Sequence, residues 1–141
     1  MKNFPYIEAN FIVEGKLFDI ALFTKEIGIL PTETREIDDF PSIIKNNSNI
    51  PKELQPRCIW SITQKEEFCR TIQQPIHNII SQLIGKEEII NSFCKKNKLE
   101  RALIITIHAE TMDLPEIILS SKIISYFGSI ESEISFDIYT Y

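Results

Sequence analysis

Residues Phe11 to Thr32 read FIVEGKLFDIALFTKEIGILPT, and the fold follows from how this stretch is parsed. Ala9, Phe11 and Val13 alternate with Glu8, Asn10, Ile12 and Glu14, which is the period of a half-buried strand over residues 6–14. Gly15 permits a turn. Asp19 then suits the capping position of a helix, and Phe18 before it can pack on Phe23 as a hydrophobic staple. Ile20, Phe23 and Ile27 fall on one helical face. Gly28 supplies a left-handed residue to end the helix, Ile29 can close back on its last turn, and Pro31-Thr32 leads the chain away.

Working outward, the same device recurs near the other end of the chain. Residues 101–109 (RALIITIHA) form a β-branched strand suited to the middle of a sheet. Leu119-Ser120 repeats the apolar-then-capping pair, with Ile124 at the staple position, Ile123 and Phe127 on the same side, and Gly128 as the stop. Ile134, Phe136 and Ile138 alternate with Ser135, Asp137 and Tyr139 in a last strand. Between the two units, RCIWSIT (57–63) is a strand with Cys58, Trp60 and Ile62 on one face. Phe68, Ile72, Ile76, Ile79, Ile80 and Leu83 recur at helical spacing over 66–84, although Pro75 inside that span should kink or restart the helix. Gly85 closes it, and a further helix follows over 87–96, acidic first and basic last as the helix dipole favours.

Two strand-helix-strand halves imply a single α+β domain over 1–141. Its sheet is expected to be four-stranded, mostly antiparallel and ferredoxin-like, with a helical insertion (66–97) between the halves. Residues 31–56 carry Pro31, Pro41, Pro51 and Pro56 and no glycine, and are read as a long acidic loop anchored by Ile43 and Ile44, with a polar run at 45–49. Loops of that length in a compact domain are usually functional or disordered. If Phe11, Ile105 and Phe136 face the helices, the opposite face presents Asn10, Ile12, Thr106, His108, Asp137 and Tyr139.

The 141 residues are 43% hydrophobic and 25% charged, enough for a core, with a formal charge of -5. A nucleic-acid partner needs a basic stripe to displace counterions, so this balance argues against one and favours a basic macromolecular partner. No apolar run approaches the length of a membrane span, and residues 1–5 lack the pattern of an export signal, which reads as a cytoplasmic protein. Cys58, Cys69 and Cys94 are odd in number, form no CxxC pair and read as small buried hydrophobes rather than a disulfide or metal set.

No P-loop, GxGxxG, GxSxG or HExxH motif occurs, so no catalytic residue, metal ligand or cofactor is assigned. The nearest constellation is His108-Ala109-Glu110 with Asp113 a turn later; a strand-end histidine beside a loop is far more often plain surface. His77 reads as an exposed helix residue. Trp60, the only tryptophan, reads as core.

Phe11, Val13, Gly15, Phe18-Asp19, Thr24, Ile27-Gly28-Ile29 and Pro31-Thr32, followed by the Trp60 strand and the closing Asp137-Ile138-Tyr139, resemble the pattern of the bacterial domain of unknown function 4279 family over nearly the whole chain. In that pattern a basic residue and a Gly-Asp pair follow the Pro-Thr exit; Arg35 is present here and the glycine is missing. The resemblance informs fold more than function. Small bacterial families of this kind are often encoded beside secreted toxins and act as immunity proteins, which implies a non-enzymatic domain neutralising a basic toxin. The expected contact residues are then Glu33, Glu36, Asp38, Asp39 and Phe40. The alternative is a small-ligand regulatory or enzymatic domain using the open sheet face around His108, Asp137 and Tyr139, and an adaptor or oligomeric scaffold is a third reading.

Overall fold

A computed structural model describes residues 3–45, 49–51 and 55–141, with the side chains of residues 44 and 45 outside the description. The elements run β1 (Tyr6–Gly15), α1 (Ile20–Ile27), β2 (Glu33–Arg35), a 3-10 turn (Ile37–Asp39), α2 (Ser42–Lys45), β3 (Cys58–Glu66), α3 (Gln73–Leu83), α4 (Glu87–Asn97), β4 (Glu100–Ala109), α5 (Ser121–Ser129) and β5 (Glu133–Thr140).

The opening stretch folds as its residues dictate. Asp19 Oδ1 accepts a hydrogen bond from the Leu22 amide at 2.9 Å, and Phe18 meets Phe23 edge-on with ring centroids 6.3 Å apart. Gly28 stands at φ 73° and its amide closes on the Thr24 carbonyl at 2.9 Å. At Gly15 a side chain would overlap the end of the buried Leu99 side chain, so a larger residue there has to displace Leu99.

The strands form one five-stranded sheet in the order β2-β3-β1-β4-β5. Three pairings are antiparallel and β4 with β5 is parallel. The expected α+β class therefore holds, but the four-stranded ferredoxin-like arrangement is corrected to a five-stranded mixed sheet. The two halves were mismatched because β1 and β3 run antiparallel, whereas β4 and β5, joined through α5, run parallel. The strand that returns in the direction of β1 after α1 is β2, with β3 inserted between them. It has only three residues, all exposed, and so carries no apolar alternation that would reveal it.

Other boundaries shift for local reasons. The span read as one helix over 66–84 begins at Gln73, which places Pro75 in the first turn, where its missing amide costs no intrahelical bond. Residues 64–66 extend β3 instead, and Phe68, expected on the apolar helix face, is 68% exposed with φ 50°. Ser120 caps α5 as expected, accepting from the Ile123 amide at 3.3 Å. Gly128, however, lies inside α5; the left-handed residue beyond the helix is Glu131 at φ 53°, and Ile124 is exposed rather than a staple.

One core joins the sheet to α1, α3, α4 and α5. Ile7, Ala9, Phe11 and Val13 of β1, Cys58, Trp60 and Ile62 of β3, and Leu103, Ile105, Ile107 and Ala109 of β4 are buried together with Phe23, Ile76, Ile79, Phe93 and Phe127 of the helices. Each fully buried side chain of this size contributes roughly 1.5–3 kcal/mol by leaving water. These core residues share one parity on each of β1, β3 and β4, with only Tyr6 and Ser61 buried on the other, so all four helices lie against one face of the sheet.

Candidate functional site

The opposite face of the sheet has no helix packed against it among the described residues. Strand register sets its residues in rows. Lys65, Glu8, Thr106 and Asp137 lie side by side, as do Thr63, Asn10, Ile104 and Ser135; the next row is Glu33, Ser61, Ile12, Ala102 and Glu133, and the last is Arg35, Ile59, Glu14 and Glu100. Most are half-buried or exposed. The face therefore carries six carboxylates around an apolar middle made by Ile12, Ile59, Ala102 and Ile104, against the cations of Lys65, Arg35 and the strand-end Arg57. Lys65 reaches Glu8 at 3.7 Å and Arg57 reaches Glu100 at 3.6 Å. Pairs this exposed contribute well under about 1 kcal/mol each and leave the carboxylates open to a partner.

A depression of about 210 Å³ opens on this face, lined by Asn10, Ile12, Glu33, Thr34, Arg35, Ile59 and Ser61. Its geometry comes from the Pro-Thr exit of the opening stretch. The Thr32 amide donates to the Ser61 carbonyl at 2.8 Å and Thr32 Oγ1 accepts from the Thr63 amide at 3.0 Å, which docks β2 beside β3. Ser61 Oγ, buried beneath β2, donates to the Glu33 carbonyl at 3.3 Å. Sequence reasoning missed Ile59, Ser61 and Arg35 as wall residues, since a wall between two strands depends on a pairing that neither strand encodes alone.

The residues 31–56, expected to be a loop, hold β2, the 3-10 turn and α2, with residues 46–48 and 52–54 outside the described residues. Glu33 lies in β2, while Glu36, Asp38 and Asp39 shape the turn that follows, and all four are exposed. Asp39 Oδ2 accepts from the Glu36 amide at 2.7 Å, so one carboxylate of the set also holds the turn. Phe40 is half-buried with the Arg35 guanidinium 5.1 Å above its ring, so one aromatic face is already engaged. Ile43 is 78% exposed and anchors nothing, and the Ile44 side chain and most of the polar run lie outside the described residues.

The alternative residues gather at one corner of the same face. His108 lies opposite Tyr139 in register and stacks on it at 4.9 Å with 13° between planes, while Asp137 sits one row away beside Thr106. His108 Nδ1 and the Tyr141 hydroxyl are 3.0 Å apart, and Tyr141 stacks in turn on Phe4 at 5.1 Å. Asp113 does not join this group, because its carboxylate pairs with Arg70 at 3.1 Å. His77 is exposed on α3. Among the described residues no group of three or more His, Cys, Asp and Glu could hold a metal ion.

Cys58, Cys69 and Cys94 are free and buried, as their residue type implied. Burial pushes the Cys94 thiol from 9.0 up to about 11, against an opposing pull from Arg101. Tyr126 is raised by burial and then by Glu87, and Tyr6 by burial and then by Glu8. Each is an acid whose folded-state value exceeds its unfolded one, so it stabilises the fold below its unfolded value and that contribution is lost as pH rises through the folded one. The melting temperature is expected to fall between pH 9 and 11, less steeply in Cys94→Ala. Thermal melts across that range check this, and identical slopes for wild type and variant would contradict it.

The sequence model of the family described as "Domain of unknown function (DUF4279)" matches residues 5–141. Neither a curated protein nor a solved structure matches the chain. No helix among the described residues is long and apolar enough to cross a membrane.

Proposed function

The chain belongs to the DUF4279 family, and we propose that it is a non-enzymatic protein-binding domain that captures a basic partner on its helix-free sheet face, its biological role being that of an immunity protein against a basic toxin domain. The observation that carries this reading is the arrangement of that face. Glu8, Glu14, Glu33, Glu100, Glu133 and Asp137 surround the apolar strip of Ile12, Ile59, Ala102 and Ile104, and the acidic turn of Glu36, Asp38 and Asp39 continues from its β2 edge. An apolar centre with a charged rim is the pattern of a protein interface, in which the centre supplies affinity and the rim supplies attraction and register. The depression of about 210 Å³ beside Ile12 and Ile59 is below the roughly 300–1,000 Å³ of sites that enclose a small ligand, and suits one inserted side chain, with Glu33 on its wall to receive a lysine or arginine. The small-ligand reading around His108, Asp137 and Tyr139 comes second, since the His108 and Tyr139 rings are stacked on one another and so occupy each other's faces.

The test is capture with tagged protein from its native cell, followed by titration of the captured protein against wild type and a Glu36→Lys, Asp38→Lys, Asp39→Lys triple variant. A basic partner is expected, bound about tenfold or more weakly by the variant, with the loss mainly in association rate and reduced at high salt. Its growth-arresting activity should be relieved by co-expression of the wild-type chain. Capture of no protein, or equal binding to both forms, overturns the reading.

A further inference from the structure

Another depression, of about 410 Å³, opens where the sheet ends just past Glu14, lined by Lys16, Gln55, Pro56, Arg57, Lys98 and Glu100. Its three cations come from three separate segments, and the strand register explains why they meet. Gly15 pairs with Cys58 and Glu14 with Glu100, so continuing both registers past the strand ends sets Lys16 beside Arg57 on one side and Lys98 on the other. The overlap that a side chain at Gly15 would make with Leu99 shows that the chain segments stay together there.

Like charges set side by side on neighbouring strands repel. The dipole of α4 accounts for Lys95, Lys96 and Lys98 at its C-terminal end, but not for Lys16 and Arg57 beside it. Glu100 is the one carboxylate among the described residues that lines this depression. It lies 3.6 Å from Arg57 Nη2, longer than the roughly 2.7–2.9 Å of a charge-assisted hydrogen bond, and Arg57 Nε finds no acceptor among the described residues. The guanidinium fork is therefore largely unused. Glu14, in the neighbouring row, opens instead on a different depression with Arg101 and Glu131. Three cations against one carboxylate make a cationic cleft on a chain whose formal charge is -5, which composition does not explain.

We propose that this cleft binds a small phosphate-bearing molecule. The Arg57 fork takes two oxygens of one phosphate group, and the Lys16 and Lys98 ammonium groups neutralise its charge. The volume falls within the roughly 300–1,000 Å³ of sites that enclose a small ligand, so the ligand carries a further group beyond one phosphate, bordered by Gln55 and Pro56. A nucleic acid is the wrong occupant, because the cleft is local and the acidic surface elsewhere repels a phosphate backbone. The site goes beyond the partner-binding reading and does not rest on it, as its ligand has the opposite charge to that partner.

Thermal melts of the full chain in sodium pyrophosphate, adenosine monophosphate and sodium citrate, each against sodium chloride of equal ionic strength, test the site. Pyrophosphate or the nucleotide is expected to raise the melting temperature by about 4 °C at ten times its Kd. Preference for pyrophosphate assigns an inorganic polyphosphate and preference for the monophosphate a nucleotide; both support the proposal. Lys16→Gln combined with Lys98→Gln, both at exposed positions, should weaken that binding at least about tenfold. Without ligand and at low salt, the same variant should melt higher than wild type, because the repulsion is relieved. Lysines that served structure alone would not reverse sign in this way. Should the double variant misfold by circular dichroism, Arg57→Lys, which keeps the charge and loses the fork, should weaken binding at least about fivefold. No rise beyond that in chloride, an equal rise in citrate, or unchanged affinity in the variants overturns the proposal.

Discussion

Ile105→Lys is expected to abolish folding, while Ile104→Lys, one residue earlier on the same strand, is expected to leave a native far-UV spectrum and a stability within about 1 kcal/mol of wild type. Ile105 is fully buried between Ala9 and Phe136 in register, beneath the helices. A lysine there has no carboxylate partner, and the penalty for an unpaired buried charge, several kcal/mol, reaches the whole stability of a typical domain, roughly 5–15 kcal/mol. Ile104 is half-buried between Asn10 and Ser135 on the helix-free face, where a lysine stem can lie along Ile12 and send its ammonium into water. Circular dichroism and urea denaturation of the two variants compare the faces directly. Equal damage at both positions would mean the supposedly open face is covered, and the proposed binding surface would be lost with it.

The second large effect is expected at Trp60. Its ring meets Phe23 edge-on at 4.9 Å, and Phe23 lies 4.9 Å from Phe93, so one side chain links β3, α1 and α4. The indole Nε1 donates to Thr24 Oγ1 at 3.2 Å, and that hydroxyl donates onward to the Ile20 carbonyl at 2.9 Å. Trp60→Ala removes the packing and leaves a cavity, for an expected loss of about 3–5 kcal/mol. Thr24→Val keeps the packing but strands the buried indole N–H, for about 1–3 kcal/mol. Urea midpoints at unchanged slope separate the two. A cost below about 1 kcal/mol for Trp60→Ala would show that this junction is not where the helices are held to the sheet.

Thr24, Trp60 and Thr32 are among the residues that carry the family resemblance, and each acts on structure here: Thr24 receives the indole, and Thr32 docks β2 onto β3. A pattern of this kind reports how the scaffold is built. The surface proposed to bind a partner is instead assembled from five strands, and its residues share no spacing along the chain. Glu8, Glu33, Glu133 and Asp137 become one acidic rim only through the register.

What the sequence determined alone was whatever depends on neighbours within a few residues. The alternation of Phe11 and Val13 marked β1, Asp19 and Ser120 marked helix starts, and Gly28 marked a helix end, because each rests on an interaction between positions three or four apart or on the pleat of one strand. The burial of Trp60 and the three cysteines followed from residue type. Only the tertiary structure decided that β3 enters between β1 and β2, that β5 joins β4 in parallel, and that one face of the sheet has no helix against it among the described residues. Those outcomes depend on which distant strands exchange backbone hydrogen bonds, and backbone groups are the same in every residue, so an exposed strand such as β2 leaves no mark in the side chains that form it.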